Sequence, residues 1–177
     1  MFSITTSRDY LAKLEADFAD FIKEPSSERR AVNCAITAYH LHEWVWTDWL
    51  KADSATQEFF GAATKGDFVA AIVRACPWFL VMQELANAAK HTREPSFKTI
   101  RVSLLPEARN LANAGAEDRH WDGPMPFITG DTEVLLIDTG PPDDHQRWML
   151  VGQLLYVVLQ FWREFFKKYA PPAQAVS

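Results

Sequence analysis

Apolar residues at three-to-four spacing dominate the first half of the chain. Leu11, Leu14, Phe18, Phe21 and Ile22 share one face of a helix predicted from about Ser7 to Lys23, and Pro25-Ser26-Ser27 stops it and offers a cap to the next. The second helix, about Glu28 to Lys51, holds neither Gly nor Pro. Ala31, Cys34, Ala35, Ala38, Leu41, Val45 and Trp49 form one apolar stripe on it, and Val32, Ile36, Tyr39, Trp46 and Leu50 cover much of the rest. Such a rod is expected to be central and surrounded. A weaker helical stretch over Ser54–Ala63 ends near Gly61–Gly66. Asp67 is placed to cap Phe68–Arg74, and Pro77 then kinks the helix or sits in the first turn of a new one. Trp78–His91 continues as a helix whose Ala86, Ala88 and Ala89 allow close approach of a neighbour.

The period then changes to two. Ile100, Val102 and Leu104 alternate with Thr99, Arg101 and Ser103, which predicts a half-buried strand. Phe127–Thr129 and Thr132–Asp138 flank Gly130-Asp131, the pattern of a two-residue hairpin. Pro106–Pro126 reads as a loop. Asp143 with Gln146 three residues on resembles a capping box, opening a last long helix to about Tyr169. The predicted fold class is mainly α (α+β): an up-and-down bundle of four or five helices, with a small antiparallel β-sheet inserted at about 97–138, before the C-terminal helix. One domain over 1–169 and a disordered tail at 170–177 are expected.

Composition narrows the function classes. A chain of 177 residues fits one domain, which buries roughly 70% of its unfolded surface without disulfides or a structural metal. With 12 Phe, 7 Trp and 4 Tyr, general disorder is excluded. The net charge of −5 argues against a dedicated duplex-DNA binder. Cys34 and Cys76, each inside a helical pattern, read as small buried hydrophobes of a reducing compartment. Met1–Ser7 lacks the features of a secretion signal. The best membrane candidate, Trp148–Trp162, is shorter than the roughly 20 residues a span requires and is interrupted by Gly152, Gln153 and Gln160. A soluble, cytoplasmic protein with no cofactor is expected.

Polar residues at helical spacing are the unusual feature. Asn33, Thr37, His40 and Trp44 recur at four, three and four along the second helix, with Glu43 and Asp48 near its end. Glu84, Asn87 and His91 recur at three and four on a later one, with Lys90 beside them. Buried polar groups need partners, so the two seams are expected to face each other. One reading is a satisfied hydrogen-bond network that fixes helix register. A second is a nucleic-acid or phosphoester site. There His91 supplies acid–base chemistry with help from His40, Asn87 orients it, and Lys90 offsets phosphate charge. Asn33, Thr37 and Glu84 would join Arg93, Lys98 and Arg101 in binding, the last three forming with Lys90 a basic stretch against Glu94. A metal centre from His40, Glu43, Glu84 and His91 lacks paired Glu-x-x-His motifs, and His40-x-x-Glu43 reverses their order, so no metal is expected. His42, two residues from His40, is expected on another side of the helix and partly exposed. Asp118–Asp122 is a mixed-charge loop, and Asp143, Asp144 and His145 are explained by capping. Trp44, Trp46 and Trp49 cannot all face one way, which predicts one of them at a partner surface. Phosphate loops, nucleophile elbows and dinucleotide fingerprints are absent from the sequence.

The runs Ala31-Val32-Asn33-Cys34-Ala35-Ile36-Thr37-Ala38-Tyr39-His40-Leu41-His42-Glu43-Trp44-Val45-Trp46 and Leu85-Ala86-Asn87-Ala88-Ala89-Lys90-His91 resemble a group of uncharacterised bacterial helical-bundle proteins. More distantly, a four-helix core with a helix-borne Asn and His over Glu28–His91 resembles the HEPN superfamily, which implies metal-independent ribonuclease chemistry across a dimer interface. That superfamily's Arg, four to six residues ahead of its His, has no counterpart here: Glu84, Leu85 and Ala86 precede His91 at those positions. Two expectations therefore stand. The first is an interaction or nucleic-acid-related module, with a protein partner, a second copy of the chain or RNA as the open partner classes. The alternative is a ribonuclease using His91, Asn87 and Lys90.

Overall fold

The computed structural model describes residues 4–91, 99–103, 133–138 and 148–172. Helix α1 (Ser7–Phe21) starts from a capping box: the Thr6 hydroxyl oxygen accepts from the Asp9 N–H, and the Asp9 carboxylate accepts from the Thr6 N–H. Hydrogen bonds to the carboxylate from the Thr5 N–H, the Thr6 hydroxyl and the Thr6 N–H hold the Asp9 carboxyl down at about 2. Helix α2 (Glu28–Asp48) ends three residues before the predicted Lys51, and a 3-10 turn (Leu50–Ala52) follows. Helix α3 (Ser54–Phe60) closes on Gly61, whose φ of +59° is the left-handed conformation that favours glycine. Helix α4 (Lys65–Ala75) begins earlier than expected. Thr64 is its cap, and Asp67 is the third-position partner of a capping box. Pro77 separates α4 from α5 (Phe79–His91).

Helix α2 is central as its stripe predicted. Cys34, Ala35, Ala38, Leu41 and Val45 are wholly buried, and the helix touches α1, α5 and the last helix, α6 (Val151–Tyr169). The small residues of α2 allow α6 to come close enough for the Trp162 indole N–H to donate to the Ala38 carbonyl at 3.0 Å. Buried residues of α1, α2, α4, α5, α6 and β2 (Glu133–Asp138) join in one apolar cluster.

The sheet is antiparallel and three-stranded, in the order β1 (Thr99–Ser103), β2, β3 (Trp148–Leu150). Ile100 opposes Leu136 across the first pair and Met149 opposes Ile137 across the second. Leu135 and Ile137 join the core. Beyond the end of β3, the Leu135 N–H instead donates to the Pro25 carbonyl at 3.2 Å, tying the α1–α2 connection to the sheet.

The mainly helical fold with a small sheet before the last helix is as expected, and one local reading is corrected. The last helix begins at Val151, because Trp148–Leu150 are spent on pairing with Leu136–Asp138. A continuous apolar run cannot distinguish a buried strand from the first turn of a helix. The expected hairpin partner, Phe127–Thr129, lies outside the described residues, as do the Pro106–Pro126 loop and the Asp143–Gln146 cap. Among the described residues β2 is flanked by β1 on one side and by β3 with Pro25 on the other. Residues 173–177 of the expected tail also lie outside the described residues. Among the described residues, no helix is long and apolar enough to cross a membrane.

Candidate functional site

The seam on α2 lies beside the core stripe and meets α1. Thr37, 1% exposed, donates from Oγ1 to Asp17 Oδ2 at 2.6 Å and accepts from Lys13 Nζ at 2.6 Å. Lys13 also pairs with Asp17, four residues along α1. Asn33, at the head of the seam, is exposed, and its carbonyl lies 3.0 Å from the same hydroxyl. At the other end Trp44 stacks on Tyr10, ring centroids 4.8 Å apart. Burial raises the Tyr10 hydroxyl, with the Asp17 and Glu43 carboxylates acting the same way.

His40 and Glu43 continue this flank toward α4. His40 Nδ1 is 3.2 Å from Glu43 Oε2, and Lys65 Nζ donates to Glu43 Oε1 at 2.8 Å. The Lys65 ammonium, helped by His40, holds the Glu43 carboxyl below the ordinary carboxylate range against the opposing effect of partial burial. A carboxylate on Nδ1 orients an imidazole as general bases are oriented. Acid–base catalysis also needs a reacting group or oxyanion donor in reach. Among the described residues, His40 bonds to no hydroxyl or thiol.

Among the described side chains the two seams do not meet. Helix α5 buries Phe79, Met82, Leu85 and Ala86, while Leu80, Glu84 and Asn87 lie on its exposed side. Thr37 is committed to α1, and it is the opposite side of α2 that packs on α5. There Tyr39 accepts from Gln83 Nε2 at 3.1 Å, and His42 packs edge-on against Phe79. His42 is buried, 3% exposed, which corrects the expectation of a partly exposed side chain. The missed signal was the offset itself. Two helical positions turn a side chain by about 200°, so a half-exposed His40 on one flank places His42 inward. Its Nδ1 lies 2.6 Å from the Tyr39 carbonyl, and burial pushes its pKa down. The side chains of Lys90, His91 and Arg101 lie outside the described residues, as do Arg93 and Lys98 altogether.

Both cysteines are free and buried, as expected. Burial pushes the Cys34 thiol well up and the Cys76 thiol up to about 11, which makes both poor nucleophiles. Among the described residues no group of three His, Cys, Asp or Glu is gathered to hold a metal.

A second feature escaped sequence reasoning. Where α3 meets the end of α6, Phe60 stacks on Phe165 at 5.6 Å and meets Tyr169 edge-on at 4.8 Å, with Trp49 and Phe68 flanking Phe165. Phe59 lies outside this cluster, 66% exposed, with its ring 5.5 Å from Tyr169. Lys168 Nζ sits 5.7 Å from the Phe59 ring centroid and 5.0 Å from that of Tyr169. The Trp49 indole N–H is buried without a hydrogen-bond partner. Trp44, Trp46 and Trp49 all pack against the core, so among the described residues the protruding aromatic is Phe59 rather than a tryptophan. The available signal was the Phe59-Phe60 doublet ahead of Gly61, since adjacent helical residues cannot both face inward.

Comparison with protein-family models, with curated proteins and with solved structures finds no match for the chain.

Proposed function

We propose that the chain is an interaction module that binds a protein partner through the aromatic end formed by α3 and α6. The observation that carries this reading is Phe59: a large ring, two-thirds exposed, in contact with the rings of Phe60 and Tyr169. Aromatic anchors of this kind supply much of the energy of protein contacts. A protein is favoured over a nucleic acid by charge. Among the described residues Lys13, Lys23, Lys65, Lys167, Arg30 and Arg163 are paired with carboxylates, and the exposed Arg29, Lys51, Arg74 and Lys168 stand on a chain of net charge −5, whereas phosphate binding draws on a surplus of free cations that release counterions. The exposure of Asn87 on α5 keeps the ribonuclease alternative as a second reading.

The test is to pan a displayed peptide library on the full chain and on Phe59→Ser, with labelled single-stranded RNA offered in parallel. Enrichment of a shared peptide pattern on the wild type, lost in Phe59→Ser, is expected. RNA cleavage that disappears in a still-folded His91→Ala would replace this reading with the nuclease.

A further inference from the structure

We propose that the partner at the aromatic end is a second copy of this chain, docked by two-fold symmetry about Phe59. This rests on the interaction reading above and names its partner. A two-fold interface must be self-complementary, because the same patch serves both copies. An apolar centre flanked by one acid and one base meets that requirement, and this patch has the composition. Phe59 is the centre. Glu58, the preceding residue of α3, is exposed, and Lys168 of α6 lies over the Phe59 ring.

Among the described residues, Glu58 and Lys168 enter no ion pair, whereas Lys167, adjacent on α6, is 3.7 Å from Glu164. Lys168 rests instead on two aromatic faces. A two-fold axis through the Phe59 pair sets Lys168 of each copy against Glu58 of the other, and closes the rings over each other. Both contacts exclude water from a surface that is otherwise exposed apolar area. The chain's net charge of −5 opposes association at long range, so the local Glu58–Lys168 pairing also fixes which faces meet.

Sedimentation of the full chain across the micromolar range tests this, with circular dichroism to verify folding of each variant. The wild type should show a concentration-dependent dimer and Phe59→Ser a monomer. Glu58→Lys and Lys168→Glu should each weaken the dimer about tenfold, and the double exchange should recover affinity to within about threefold of wild type. Three results overturn the inference: a wild type that stays monomeric, a folded Phe59→Ser that still dimerises, or a double exchange as weak as the singles. If the wild type is monomeric yet selects peptides through Phe59, the self-association falls and the interaction reading stands. Loss of both removes the reading itself.

Discussion

The α1–α2–α4 flank and the α3–α6 end are both built on well-packed helices, yet they treat their functional groups in opposite ways. On the flank, Lys13, Asp17 and Thr37 bond to one another, and Glu43 bonds to both His40 and Lys65. At the aromatic end a ring is uncovered, an indole N–H is buried without an acceptor, and a lysine rests on aromatic faces. A surface that satisfies itself gains little from a partner. An uncovered apolar one gains about 25 cal/mol for each Å² it removes from water. Under the interaction reading proposed above, the flank, though richer in titratable groups, serves as framework, and the aromatic end is where binding energy is available.

The largest test of this contrast removes the base under Phe59. Phe165 is 4% exposed and packs on Trp49, Phe60, Phe68 and Tyr169. Phe165→Ala should cost about 3–5 kcal/mol in denaturant unfolding. A cost under about 1 kcal/mol would mean that the base is not rigid. On the flank, Thr37→Val keeps the shape but removes the hydroxyl between Lys13 and Asp17. A loss of about 1–3 kcal/mol is expected, and an unchanged midpoint would show that water replaces the bonds.

His42 makes the core side of α2 sensitive to pH. An unfolded histidine binds its proton near 6.5, and burial lowers that value in the fold. The unfolded state therefore holds more protons just below 6.5. Stability present above that pH is lost as the pH falls through the folded pKa. His42→Leu should flatten this part of the stability curve, and an unaltered slope would assign the dependence elsewhere. The smallest effect is expected at Trp49. Because its N–H makes no hydrogen bond, Trp49→Phe sacrifices packing alone and should change stability by less than about 1.5 kcal/mol. A larger loss by thermal or chemical melting would show that the indole N–H has a partner after all.

Much of the helical framework could be read directly. The Cys34–Val45 stripe identified the central helix, and Pro25, Gly61 and Pro77 marked the breaks, because periodicity and backbone restrictions are local properties. The α2 seam was also visible, but its partner was not. Spacing reports which residues share a face and says nothing of which helix covers it, so Thr37 was matched with α5 when it bonds to Asp17 of α1. The same limit hid β3, since Trp148–Leu150 become a strand only through β2 beside them.

The chain alone determined that its first half is a series of helices broken at Pro25, Gly61 and Pro77, which stripe of α2 is buried, and that both cysteines lie inside. Those follow from side-chain size, hydropathy and period. Tertiary structure decided which of His40 and His42 is enclosed, that Thr37 of the polar seam is bonded by Lys13 and Asp17 of α1, and which ring of the Phe59-Phe60 doublet is left standing on α3. Each depends on contacts between residues far apart in sequence, such as Tyr169 with Phe59 or Lys65 with Glu43. No local pattern encodes such a contact, because its free energy exists only once the chain has brought both sides together.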